Sequence, residues 1–165
     1  MDFGCGTGLL GFNFTGIAGS VAFADTSSGM LEVVDEKIKA CKITNASTVL
    51  LQNGNSQFTG KFDCIVSLQA LHHVSDYKGC LKALADALNA GGCIAISDLD
   101  KEDGSFHSGD TSVHWGFDRE EIKSIYAESG LTDISESTPF INTKATSTGV
   151  KDFQLFLITG RKPSI

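Results

Sequence analysis

Asp2-Phe3-Gly4-Cys5-Gly6-Thr7-Gly8 places three glycines at alternate positions. Without a Cβ, such residues let the backbone turn sharply from a strand into a helix and approach a ligand closely. The helix expected after Gly8 would aim its unpaired N–H groups at that ligand. Two cofactor types suit the loop. Gly6-Thr7-Gly8-Leu9-Leu10-Gly11 fits the G-x-G-x-x-G dinucleotide pattern, with Asp25 at about the right distance onward. Asp2, two residues before the first glycine, separates the two. A carboxylate there repels a pyrophosphate and attracts an ammonium, which favours a zwitterionic, sulfonium-bearing cofactor.

Outward from the loop, short apolar runs alternate with helical patterns, the mark of a sheet covered on both faces. Ser20-Val21-Ala22-Phe23-Ala24 reads as a strand ending at Asp25, followed by a helix from Ser28 to Cys41. Val49-Leu50-Leu51 and Phe62-Asp63-Cys64-Ile65-Val66-Ser67 read as the next two strands. Asp76 is placed to cap a helix whose Tyr77, Leu81, Leu84 and Leu88 share a face, and Gly91-Gly92 is expected to end it. Cys93-Ile94-Ala95-Ile96-Ser97 follows as a buried strand. Asp118 with Glu121 resembles a capping box, Phe117 can staple onto Ile122, and Gly130 stops that helix. Leu131 to Phe140 and Asp152 to Thr159, joined by a polar turn from Asn142 to Gly149, read as an antiparallel hairpin at the sheet edge.

The order and spacing of these pieces resemble those of class I S-adenosylmethionine-dependent methyltransferases. Acidic-x-Gly-x-Gly-x-Gly is similar to that family's first motif, and Asp25-Thr26-Ser27-Ser28-Gly29-Met30-Leu31 to the end of its second strand. Phe62 to Val66 with Leu71-His72-His73-Val74, and Ala90-Gly91-Gly92 through Asp98, resemble its fourth and fifth strands with their flanking segments. The resemblance implies an α/β, Rossmann-like, doubly wound and mostly parallel sheet in three αβα layers, closed by an antiparallel C-terminal hairpin and forming a single domain over residues 1–165. It implies S-adenosyl-L-methionine as cofactor. Asp2, Gly4, Cys5, Gly6 and Gly8 would surround the methionine end, Asp25 and Thr26 the ribose, and Met30 the adenine. Ser67 and Leu68 would close the site from the fourth strand. The family's acid after the third strand is replaced by Gln52-Asn53-Gly54-Asn55, so an amide such as Asn53 is the substitute on offer. Only Met1, Asp2 and Phe3 precede Gly4, where the first strand should be central and about five residues long. The chain therefore reads as an N-terminally truncated member with a shortened first strand.

Methyl transfer runs largely on proximity and orientation, so a dedicated catalytic side chain is not obligatory. Ser67-Leu68-Gln69-Ala70 lacks the Asn/Asp-Pro-Pro-aromatic signature of enzymes that methylate adenine or glutamine amino groups. An oxygen, carbon or sulfur acceptor on a small molecule is expected instead. His107 and His114 fall in the polar loop from Leu99 to Gly116 and are the candidate general bases. His72 and His73 read chiefly as packing residues, and Asp98, His107 and His114 match no tight metal-ligand spacing. A nicotinamide-dependent oxidoreductase and a methyltransferase-like module without turnover remain the alternatives.

Composition narrows the partners. The 165 residues carry a net charge of −7, and the thirteen Lys and Arg residues are scattered, unlike the basic stripe that nucleic acid requires. No apolar run approaches the ~20 residues of a membrane span, and no secretory leader is recognisable. Five cysteines without a CxxC spacing fit a reduced, cytoplasmic setting.

Overall fold

The computed structural model describes residues 1–52, 58 and 60–164. Seven strands form one sheet in the order β3-β2-β1-β4-β5-β7-β6. They are β1 (Asp2–Phe3), β2 (Val21–Asp25), β3 (Ala46–Leu50), β4 (Phe62–Leu68), β5 (Leu88–Leu99), β6 (Thr132–Thr146) and β7 (Gly149–Arg161). The first five pair in parallel, and β7 lies antiparallel between β5 and β6. This is the expected doubly wound sheet with its closing hairpin.

Among the described residues three α-helices cover it: α1 (Ser28–Ala40), α2 (Tyr77–Asp86) and α3 (Arg119–Glu128). Side chains alternate across a strand, so each β residue chooses a layer. Ile65, Ile94, Ile96, Phe156 and Ile158 meet Leu81, Leu84, Ile122 and Tyr126 of α2 and α3 in the main core. Val21 and Phe23 pack against Leu31 and Val34 of α1. Phe23 faces Asp2, and Asp2 faces Val66, the neighbour of Ile65, so α1 lies on the opposite face from α2 and α3.

Each helix start carries a side-chain cap, at Asp76 and Asp118 as expected from sequence and at Ser27 in addition. Ser27 accepts from Met30 N, Asp76 from Gly79 N and Asp118 from Glu120 N. Glu121 does not complete a capping box but pairs with Lys78 of α2. Three boundaries differ from the sequence reading. The segment after the glycine loop forms only a 3-10 turn, Gly11–Phe14, because five glycines between residues 6 and 19 each cost roughly 1 kcal/mol of helix propensity. Leu88 leaves the helical face and joins β5, where it pairs with Phe62, so Gly91-Gly92 lie inside a strand. The hairpin strands run to Thr146 and from Gly149, which leaves a turn of Ser147 and Thr148.

Strand β1 has two residues, the shortened first strand expected from the three residues before Gly4. The Met1 ammonium donates to Cys64 O at 2.7 Å, and Val66 N donates to Met1 O at 2.9 Å. A cavity of about 360 Å³ lies at this end, between Val21 and Phe62 to Cys64.

Candidate active site

Strands β1, β2 and β4 deliver their C-terminal ends to one edge of the sheet. In an open α/β sheet the crevice for ligands opens there, where the strand order reverses. A cleft of about 830 Å³ occupies this place, of the size that small ligands and cofactors fill. Gly4 and Gly6 form part of its wall, both at positive φ (66° and 51°). A Cβ on Gly4 would overlap that of Ala70, whereas one on Gly6 would project into open space. Gly4 therefore lets the loop close against the segment after β4, and Gly6 leaves its backbone bare beside the cleft.

Asp25 ends β2 at the same wall. Its Oδ2 accepts from Gly6 N at 2.8 Å and its Oδ1 from Ser27 N at 2.9 Å. Those two bonds fix the carboxylate, and each oxygen keeps a lone pair for a further donor. Thr26 and Met30 line the cleft beside it. Gln52, from the region named for adenine, also lines it, while Asn53 lies outside the described residues.

Other expected residues sit elsewhere. Asp2 is a correction. It is buried beneath the loop, its Oδ2 accepts from Gly11 N at 2.8 Å, and it borders the cavity at the opposite end of the sheet. Its side chain shares the face of Phe23, so it braces the 3-10 turn and does not reach the cleft. Cys5 and Gly8 are also outside the cleft wall. Burial, Asp2 and Asp25 push the Cys5 thiol up to about 12. At Gly8 a Cβ would strike Phe12 and Phe23, so that glycine serves packing. Ser67 is buried with its Oγ unpartnered among the described residues, and Leu68 is partly exposed, but the cleft is lined by their successors Gln69 and Ala70.

Burial pushes the Asp2 carboxyl up to about 6, against the Gly11 N–H and the Met1 ammonium, which lower it. The folded state then binds more protons than the unfolded one between about pH 4 and 6, so this group's contribution falls as pH rises through that window. Two pH units correspond to ~3 kcal/mol. Asp2→Asn keeps an acceptor for Gly11 N–H and removes the buried charge. It should raise the unfolding free energy at pH 8 by about 2 kcal/mol and erase that part of the pH dependence. Urea titrations at pH 8 and 4.5 read both; a variant less stable at pH 8 would refute the account.

The histidines divide by position. His73 lines the cleft; His107 and His114 do not. His114 Nε2 lies 3.1 Å from Val74 O and 3.2 Å from Ser75 O, and His114 N donates to His72 O at 2.9 Å. These bonds fasten the loop after β5 to the 3-10 turn Leu71–His73. His72 points inward, with Nδ1 2.8 Å from Asp98 Oδ1, while Asp98 also accepts from the His72 and Leu99 backbone. His107 stacks on His72, ring centroids 4.8 Å apart, and its Nε2 is buried without a partner among the described residues. His73 lies against the same His72 ring, centroids 4.1 Å apart. Burial, then His72 and His107, lower the pKa of His73 below its ordinary value. An exposed, neutral imidazole at the cleft wall can accept a proton.

Gln69, Ala70, His73 and Asp76 are among the cleft residues that sequence reasoning missed. Gln69 gives the clearest local signal after the fact, since it holds φ at 51° without being glycine. Such a conformation marks a constrained turn. Asp76, read as a helix cap, both caps and lines the cleft. Trp115 and Phe117 lie away from the cleft wall: Trp115 Nε1 donates to Asp110 O and Phe117 is buried in the main core.

Comparison with known proteins agrees with this architecture. An uncharacterized methyltransferase of Schizosaccharomyces pombe is 26% identical over 150 residues, covering 81% of this chain and 53% of its own length. A ubiquinone biosynthesis O-methyltransferase of Idiomarina loihiensis is 29% identical over 102 residues, covering 61% and 42%. The chain spans about half the length of the curated relatives it matches. Among solved structures, phosphoethanolamine N-methyltransferase 2 of Haemonchus contortus, in complex with S-adenosyl-L-methionine, superposes with a TM-score of 0.79 at 16% identity. That match covers 99% of this chain and 48% of the other. A family model described as "Methyltransferase domain" matches residues 1–94, more than half of the chain and all of the glycine loop, β2 and β4, and by that match the chain belongs to the methyltransferase domain family.

Proposed function

We propose that the chain transfers a methyl group from S-adenosyl-L-methionine to an oxygen on a small molecule. The observation that carries the reading is Asp25, held by Gly6 N and Ser27 N at the wall of a cofactor-sized cleft. Its carboxylate suits the two ribose hydroxyls, which donate to it. The bare backbone at Gly6 suits the methionine end, and Thr26 and Met30 extend the wall for the nucleoside.

Charge supports the same choice. Asp25 and Asp76 line the cleft, and among the described residues no lysine or arginine does. The remaining positions of the β3–β4 connection, Asn53 to Gln57 and Thr59, carry no charge in sequence. A pyrophosphate would face two carboxylates and no cation, whereas a sulfonium and an ammonium are attracted. The dinucleotide reading is disfavoured on this ground.

When bound, the cofactor supplies an electrophilic methyl on a positively charged sulfur. The residues around it orient the two reactants and exclude water. We assign His73 to accept the acceptor's hydroxyl proton as the new carbon–oxygen bond forms, which leaves S-adenosylhomocysteine and a methyl ether as products. The O-methyltransferase name of the bacterial relative accords with an oxygen acceptor. The sequence candidates His107 and His114 support His73 instead, His107 through the imidazole stack and His114 by anchoring the covering loop. Scattered basic residues and the acidic cleft argue against nucleic acid as acceptor, and no helix among the described residues is long and apolar enough to cross a membrane. A reduced cytoplasmic setting suits the five unpaired cysteines.

Calorimetric titration with S-adenosylhomocysteine and, separately, NADH tests the cofactor. Binding of the first and none of the second is expected; the reverse would establish the oxidoreductase alternative. A folded sample that binds neither would favour a module without turnover.

A further inference from the structure

Cys64 and Cys93 are in-register partners on the neighbouring parallel strands β4 and β5. Facing residues of adjacent strands project their side chains to the same side of the sheet, and their Cα atoms stand roughly 4.8 Å apart, within the range a disulfide spans. The next pair, Ile65 and Ile94, points into the core beneath α2 and α3, so both thiols lie on the other face. Cys64 is exposed there and borders the 360 Å³ cavity, and Cys93 is half-buried. The Cys93 thiol stands near enough to raise the pKa of Cys64. None of the other cysteines has such a partner among the described residues: Cys5 and Cys80 are buried in different clusters, and Cys41 is exposed at the end of α1.

We propose that Cys64 and Cys93 are a redox modification site, a dithiol that small disulfides of the glutathione class oxidise reversibly to an intrachain disulfide. In the first step the Cys64 thiolate attacks one sulfur of oxidised glutathione, forming a mixed disulfide and releasing one glutathione. The Cys93 thiolate then attacks the Cys64 sulfur and releases the second. Two protein thiols lose two protons and two electrons, and the glutathione disulfide gains them as two thiols. Cys64 is the attacking group because it is the more exposed.

Burial, the Cys93 contact and Asp63 push the Cys64 thiol up to about 11, against the Met1 ammonium, which lowers it. Attack requires the thiolate, so exchange is slow at pH 7 and accelerates about tenfold per pH unit up to that value. Desolvation outweighs the Met1 ammonium, so the thiolate that would hold the pair reduced is not favoured. Facing positions on adjacent strands also leave little room for an unstrained bridge, and strained disulfides are the readily reduced ones. Slow closure and ready reopening by a dithiol reductant follow.

The test uses the full chain with Cys41→Ser, which removes the other exposed thiol. Treatment with oxidised glutathione at pH 8.5 should lower the free thiols from four to two, add no glutathione mass, and link the peptides that carry Cys64 and Cys93. Dithiothreitol should restore four. In the added variant Cys93→Ser the resolving thiol is gone, so Cys64 should instead retain one glutathione. A stable glutathione adduct on Cys64 beside a free Cys93 would overturn the proposal. So would thiols that stay untouched in the folded chain and react only when it is denatured.

Discussion

Replacing Asp25 by alanine should weaken S-adenosylhomocysteine binding at least ~100-fold without unfolding the chain. Each hydrogen bond from a ribose hydroxyl to a carboxylate is worth about 1.5–3 kcal/mol, and two are lost. The side chain also holds Gly6 N and Ser27 N, so its removal frees the loop as well as the ribose. Asp25→Asn separates the two effects. It keeps one acceptor oxygen and a similar shape, retains part of the loop geometry, and should lose roughly tenfold. The cationic cofactor adds a second signature. S-adenosylmethionine carries one more positive charge than S-adenosylhomocysteine, so removing a carboxylate from the cleft should penalise the methyl donor more than the product. Calorimetry on the three proteins with both ligands, with thermal midpoints as the folding control, reads all of this. An alanine variant that binds the product within threefold of the parent would remove Asp25 from the site.

The sequence disclosed the sheet because its strands carry local signals. The apolar runs of β4 and β5 are buried on one face by helices whose own starts are marked by Asp76 and Asp118. Where pairing rather than local composition decides, the reading fell short. Leu88 continues the helical spacing of α2, yet a bond from Phe62 N to Ala87 O draws the chain into the sheet one residue before it. The pairing of β6 with β7 was expected, but β6 is exposed along most of its fifteen residues, and its run past Phe140 rests on the ladder with β7, which no pattern within it announces. The site shows the same division. Gly4, Gly6 and Asp25 were legible because a turn between strand and ligand admits few residue types. Asp2 was legible as a member of that motif but not in its direction, which depends on a strand of two residues and on the Gly11 N–H above it. The histidines were the hardest. Two consecutive residues in one 3-10 turn part company, His72 toward Asp98 and His73 toward the cleft, and only the packing of the turn decides which goes where.

That separation sets the second large effect. His73→Ala should lower kcat by ~100-fold or more with an oxygen acceptor while leaving S-adenosylhomocysteine affinity within a few-fold, since loss of a positioned base typically costs 10²–10⁴ in rate. The pH profile distinguishes a base from a packing residue. With its pKa lowered by burial and by His72 and His107, His73 is neutral at pH 7, and activity should fall only as pH drops below the ordinary histidine value of 6.5. In His73→Gln, which preserves bulk and polarity but cannot take the proton, the rate should stay low and the acidic limb should vanish. Asp98 enters as a positioning residue. Asp98→Asn keeps an acceptor for the His72 backbone but weakens the grip on the His72 ring, and the stack through which His73 is held loosens with it. Its rate loss should be smaller, and its acidic limb should persist at a shifted pH, because the base itself is still present. If His73→Gln retained the parent's rate and acidic limb, the proton would be leaving by another route, and the cleft histidine would be no more than part of the wall.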